Sequence, residues 1–154
     1  MKVQHIPFVE TGHFSDLMCD YLTDKEALKP FHSGVPSFET LYRQAHKKKK
    51  VFKAEIRKTL CESLVRQYQG MELEPLVAEN LQKLRDQNTL TITTGHQLCL
   101  MTGPLYFIYK IVSAIKLSQQ LNAKYTDLDF VPLYWMASED HDFEEINHFS
   151  VNGQ

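Results

Sequence analysis

An α/β fold with a parallel sheet, preceded by an N-terminal helical segment, is the architecture this sequence predicts, and three observations carry it. Thr89-Leu-Thr-Ile-Thr-Thr94 alternates polar with apolar side chains and is rich in β-branched residues, as a half-buried strand is. From Pro104 to Leu121 the apolar positions Leu105, Ile108, Val112 and Ile115 recur at helical spacing. Phe130 to Met136 is then an almost wholly apolar run of strand length. Strand, helix, strand within about fifty residues is a βαβ unit, and its two strands run parallel.

The elements follow in order. Residues 1–88 read as mainly helical. Thr23-Asp24-Lys25-Glu26 has the form of a capping box, which predicts a short helix starting there. Pro30 and Gly34-Val35-Pro36 then interrupt the chain. Phe52, Ile56, Leu60, Leu64 and Tyr68 recur every fourth residue, one face of a helix. Gly70 suits its end, and Leu73, Leu76, Val77, Leu81 and Leu84 mark a second amphipathic helix. Residues 89–154 carry the βαβ unit. Pro104 suits a first helical position, and the helix it opens is apolar or aromatic nearly all round in its first half, which predicts burial. The run from Phe130 to Met136 predicts a central strand buried on both faces, with Trp135 in the core.

Composition narrows the function classes. A hydrophobic content of 43%, a charged content of 23% and a net charge of −2 suit a soluble domain and lack the basic surplus that a nucleic-acid binder uses against phosphates. Cys19, Cys61 and Cys99 are scattered and odd in number, which fits a reducing cytoplasm. No leader-like stretch opens the sequence and no run approaches a membrane span, so a cytoplasmic protein with no membrane partner is expected. His46-Lys47-Lys48-Lys49-Lys50, without interleaved aromatics, reads as a solvated helix end.

The chemistry concentrates at the two strand ends. In a βαβ unit both carboxyl ends lie on one sheet edge, where open α/β sheets bind ligands. Thr94-Gly95-His96-Gln97 leaves the first strand and Glu139-Asp140-His141-Asp142 the second, so the two clusters are expected to converge on one cleft. The first could cradle an anion ahead of Gly103 and the helix, or be a plain strand-to-helix turn; it matches neither common phosphate fingerprint. The second could hold Mg²⁺ through carboxylates or use His141 as general acid or base, or it could be an acidic helix start. His96, His141 and Asp142 could also supply three zinc ligands. Cys99, between Leu98 and Leu100, reads as a packed residue rather than a nucleophile.

These motifs carry a resemblance. TGHQLCLMTGPLYFIYKIVSAIKLS followed by VPLYWMASEDHDFEEINH closely resembles the cysteine-adding enzymes of bacillithiol synthesis, and DYLTDKEALKPF, residues 20–31, resembles the N-terminal segment of the same family. The resemblance implies a Rossmann-like, nucleotidyltransferase-type parallel core that is incomplete in these residues, with further strands and a dimerising coiled coil in the longer members. It implies the joining of L-cysteine to glucosaminyl-malate, two small-molecule partners, and a homodimer for the full-length protein. Residue by residue it makes Asp140, His141, Asp142 and His96 the catalytic candidates, although many relatives carry glutamine where His96 stands. Thr94, Gly95, Gln97, Thr102, Gly103, Tyr106, Tyr109, Lys110 and Glu139 become the substrate- or nucleotide-binding candidates.

Gly103-Pro104-Leu105-Tyr106-Phe107-Ile108-Tyr109 also has the frame of the G-x-L-H-x-G-H element of nucleotidyltransferase-like folds, with tyrosines where the histidines would stand. Tyrosine brings a hydrogen bond without a positive charge near neutral pH. The likeness to those folds makes ATP and Mg²⁺ the expected cofactors, with Lys110 or the metal supplying charge. Two other readings stand beside this one: a metal-dependent hydrolase using His96, His141 and Asp142, and an inactive binding or dimerisation module.

Overall fold

The computed structural model describes residues 4–140 and 143–150. The chain divides into two compact units, Met1–Lys50 and Val51–Gln154. The change from helix to strand comes later, between residues 88 and 89, because the two helices ahead of the sheet pack on it.

The first unit contains α1 (Phe8–Thr11), α2 (Asp16–Leu22), a 3-10 segment at Glu26–Phe31 and α3 (Phe38–Val51). Ser15 caps α2 by accepting the Met18 N–H at 3.3 Å. Ser37 does the same for α3, accepting the Thr40 N–H at 3.1 Å. The capping box expected at Thr23 is not formed. Thr23 follows the last residue of α2, and its hydroxyl donates back to the Cys19 carbonyl at 2.9 Å. Asp24 then turns through φ 56°, and Lys25 precedes the 3-10 segment without a side-chain cap. The local pattern matched a helix start, but the preceding helix had already claimed the threonine. Lys48, Lys49 and Lys50 occupy the last turn of α3, where positive charge favours the carboxyl end of the helix dipole. That is the solvated helix end expected of the lysine run.

The second unit contains α4 (Ala54–Gln67), α5 (Pro75–Lys83), β1 (Thr89–Gln97), α6 (Leu105–Lys124), β2 (Asp129–Ala137) and α7 (Phe143–Ile146). β1 and β2 pair in parallel, from Thr89 opposite Asp129 to Gln97 opposite Ala137, with α6 as the crossover. Successive strand residues point to opposite faces. Val131 faces α4 and α5, clustering with Cys61 and Leu84 while Leu64 packs alongside. Tyr134 and His96 point the other way and meet Phe107 of α6. Helices therefore cover both faces of a two-stranded sheet. The core lies at the amino ends of the strands, where Leu90, Leu121, Leu128, Phe130 and Val131 are buried. Arg57 is buried as well, its guanidinium donating to the Leu84 carbonyl at 2.8 Å beyond α5 and lying over the Phe52 ring. That contact ties α4 to the end of α5.

Two expectations of burial fail, both towards the carboxyl edge. Trp135 is 58% exposed, and burial along β2 ends after Val131. The first half of α6 is open too, with Leu105 64% and Tyr109 62% exposed. Only Ala114, Ser118 and Leu121, further along the helix, are buried. An apolar run shows that a segment suits an interior; among the described residues nothing closes over this end of the sheet.

The outer edge of β2 is partly occupied by a side chain. Asn122, in the last turns of α6, accepts the Phe130 N–H at 2.7 Å and donates its amide to the Phe130 carbonyl at 2.8 Å. It imitates the strand pairing that Phe130 would otherwise lack. Two residues on, Pro132 faces the same edge and offers no N–H. Asn122→Ala leaves a half-buried donor and acceptor unpaired and is expected to lower stability by about 1–3 kcal/mol, read as the urea unfolding midpoint.

Candidate active site

The parallel register brings both strands to their ends at the same level. Thr94, Gly95, His96 and Gln97 lie inside β1, opposite Tyr134, Trp135, Met136 and Ala137, rather than in a turn after it. Gly95 permits this extension. A Cβ at that position would stand 2.8 Å from the Trp135 carbonyl oxygen and 3.1 Å from the Trp135 Cβ. The requirement is one of space between the strands.

After Gln97 the chain reverses through a short, strained loop. Met101, Thr102 and Gly103 have φ of 47°, 70° and 58°. Glycine accepts the left-handed region freely, whereas methionine and the β-branched threonine resist it, at a cost on the order of 1–3 kcal/mol each. Such strain persists where surrounding contacts impose it, and it clusters at functional sites. Here Cys99 supplies one contact: a Cβ on residue 103 would lie 2.8 Å from its Cβ and 3.0 Å from its Sγ. Cys99 is half-buried against this glycine, in keeping with a packing role. Pro104 then leads into α6, whose first turns lie beside the end of β1.

His96 is the centre of the resulting cluster. Its Nδ1 lies 3.0 Å from the Gln97 carbonyl oxygen, which can only accept, so Nδ1 carries the proton. In the tautomer with its hydrogen on Nδ1, Nε2 accepts from the Tyr106 hydroxyl, 2.9 Å away. Phe107 meets the imidazole nearly edge-on, with ring centres 5.4 Å apart. Tyr134 packs on Phe107 and its hydroxyl donates to the His96 carbonyl at 3.3 Å. Desolvation raises the Tyr134 phenol above its ordinary range, with the Cys99 sulfur adding to the shift, so it stays a protonated donor at neutral pH. Lys110, one turn after Tyr106, places its ammonium 5.8 Å from the centre of the Tyr106 ring.

Thr94, Tyr106, Tyr109 and Lys110 line one open groove of about 440 Å³ between β1 and α6, together with Ile92 and Ser113. Four binding candidates are thus brought together. Gly95, Gln97, Thr102 and Gly103 shape the strand end and the loop, Gln97 through its main-chain carbonyl. Glu139 is placed elsewhere: it lines a groove of about 950 Å³ on the α4 side with Trp135, Met136, Glu55, Thr59 and Ser63. Asp140 is exposed in the turn after β2, its N–H donating to the Ala137 carbonyl at 3.3 Å. The strand ends converge, while Glu139 and the β1 candidates line different grooves, with Tyr134, whose hydroxyl meets the His96 carbonyl, also lining the Glu139 groove. His141 and Asp142 lie outside the described residues.

Both ring nitrogens of His96 are engaged, so metal ligation there requires breaking the Tyr106 bond. Among the described residues no three His, Cys, Asp or Glu side chains gather into a metal-holding group. Sequence reasoning missed Tyr134 and Phe107 as parts of the site. Strand alternation could have placed Tyr134 on the same face as Phe130, but only the register sets it beside His96.

Gly95→Ala is expected to force the strand ends apart, costing about 1–3 kcal/mol of stability. Trp135 is the only tryptophan of the 154 residues, so its fluorescence emission reports the displacement directly.

Comparison with known proteins gives this geometry its family. The sequence matches the family described as bacillithiol biosynthesis BshC, N-terminal Rossmann-like domain, over residues 1–154. It is 47% identical to a protein of Flavobacterium psychrophilum and 46% identical to one of Christiangramia forsetii, in each case over all of this chain and 29% of the relative's length. A protein of Cytophaga hutchinsonii is 43% identical over 99% of this chain and 29% of its own length. All three bear the name "Putative cysteine ligase BshC". The chain spans about 29% of the length of these relatives. Among the described residues no helix is long and apolar enough to cross a membrane. The strand–helix–strand unit with its TGHQ and GPLY segments, and the match across every residue, make this chain a member of the BshC family in its N-terminal Rossmann-like domain.

Proposed function

We propose that a full-length protein carrying this domain is a cytoplasmic cysteine ligase that joins L-cysteine to glucosaminyl-malate, the last step towards bacillithiol. The observation that carries this reading is the family match over the whole chain, with relatives named as cysteine ligases. The groove beside β1 is consistent with it, because the TGHQ strand and the GPLYFIYK helix start supply Thr94, Tyr106, Tyr109 and Lys110 to one surface. A homodimer belongs to the same reading and rests on the resemblance alone.

Joining a carboxyl group to an amine requires a better leaving group than hydroxide, and ATP supplies one when bound. The residues fit a nucleotide phosphate in part. Lys110 brings the positive charge that Tyr106 and Tyr109 lack, while Thr94 and the Tyr109 phenol offer hydrogen bonds. The chain's own residues bind and orient there. For Mg²⁺ the fit is poorer, since Glu139 lies on the α4 side and no three suitable donors gather among the described residues.

Incubating the full-length protein with L-cysteine, glucosaminyl-malate and ATP is expected to yield bacillithiol by mass spectrometry; absence of product under conditions where the protein is folded overturns the ligase reading. Isothermal titration with ATP and Mg²⁺ is expected to show binding that Lys110→Ala weakens about tenfold or more, a loss of about 1.4 kcal/mol. Unchanged affinity in that variant removes Lys110 from the phosphate site.

A further inference from the structure

We propose that Tyr106 and His96 form a single proton-accepting pair, in which the Tyr106 oxygen takes a proton from an attacking amine while its own hydroxyl proton passes to His96 Nε2. The identity of the amine rests on the ligase reading; the pair rests on geometry.

The hydrogen-bond directions are fixed by what each atom can do. The Gln97 carbonyl cannot donate, so it holds the His96 proton on Nδ1 at 3.0 Å and leaves Nε2 with its lone pair. Nε2 meets the Tyr106 hydroxyl at 2.9 Å, which makes the phenol the donor. Phe107 closes against the imidazole edge and keeps the ring in this orientation. Both ring nitrogens are thus engaged, and the hydrogen bond to the phenol connects the imidazole to the groove. Tyr106 in turn is 54% exposed and lines the groove with Thr94, Tyr109 and Lys110. Tyr106 is the catalytic residue in this arrangement, and His96 is the positioning residue that receives its proton.

The transfer balances. As the amine nitrogen forms its bond to the acyl carbon and the leaving group departs, the N–H proton moves to the Tyr106 oxygen and the O–H proton moves to Nε2. The imidazolium so formed keeps its Nδ1–H on the Gln97 carbonyl and donates from Nε2 to the phenol oxygen. Transfer back through the open groove returns the proton to water. Lys110, beside the Tyr106 ring, stabilises negative charge developing on the oxygen during transfer.

Nitrogen NMR of the full-length protein with labelled histidine tests the pair without reference to activity. His96 is expected in the Nδ1–H form with an unprotonated, hydrogen-bonded Nε2, and Tyr106→Phe is expected to shift the Nε2 signal. An Nε2–H form, or a His96 signal indifferent to Tyr106→Phe, overturns the pair. Kinetics then test its use. Tyr106→Phe and His96→Ala are each expected to lower kcat by about 100-fold or more with KM within about threefold, and the double variant to be no slower than the worse single variant. Independent, multiplying losses, or a normal kcat in Tyr106→Phe, overturn the proton-transfer role. An inactive wild type whose His96 signal still depends on Tyr106 supports the pair and overturns the ligase reading instead.

Discussion

Two strands of nine residues each, paired in parallel and in register over their whole length, set the position of everything at the candidate site. Parallel strands cannot be joined by a tight turn, so α6 has to carry the chain back across the sheet. The same geometry sends both carboxyl ends to one edge. His96 sits beside Met136 and Tyr134 because the register runs unbroken through Gly95, and the register runs unbroken because residue 95 has no Cβ. A single missing methyl group thus connects strand pairing to the placement of the imidazole.

The loop from Gln97 to Pro104 converts that placement into a site. A relaxed connection would let α6 begin further from the strand end. Instead three successive left-handed residues fold the chain back sharply, and Tyr106 arrives within hydrogen-bonding distance of His96. The strain in Met101 and Thr102 has to be offset by contacts nearby. The Cys99–Gly103 packing and the aromatic cluster of His96, Tyr106, Phe107 and Tyr134 supply such contacts. Asn122 plays a matching part at the far end of α6, securing the start of β2 by imitating a neighbouring strand. The helix is therefore fastened at both ends, by an aromatic cluster at one and a two-point hydrogen bond at the other.

Much of this was legible in the residues, for identifiable reasons. The alternation in Thr89–Thr94 and the helical spacing from Leu105 to Ile115 report local periodicity, which the fold leaves intact. The convergence of strand ends followed from chain geometry alone. Burial was less legible. Trp135, Tyr109 and Leu105 are apolar or aromatic, yet hydrophobicity does not say which residues close over a surface, and these three are open. Thr23 failed for a different reason: the capping pattern was present, but Ser15 had started a helix whose end consumed it. The separate grooves of Glu139 and of the β1 candidates were illegible because Glu139 lies in the turn beyond Ala137, where strand alternation no longer sets the direction of a side chain. His141 and Asp142, which the family resemblance ranks with Asp140, remain assignments by resemblance.

We propose that substrates are held at the carboxyl edge of β1 and β2. Hydrogen–deuterium exchange of the full-length protein, with and without L-cysteine and glucosaminyl-malate, addresses it most directly. The expected result is slowed exchange concentrated at main-chain amides of residues 94–110 and 134–140. Protection confined to other segments, such as residues 16–51 or the amino ends of the two strands, would contradict it.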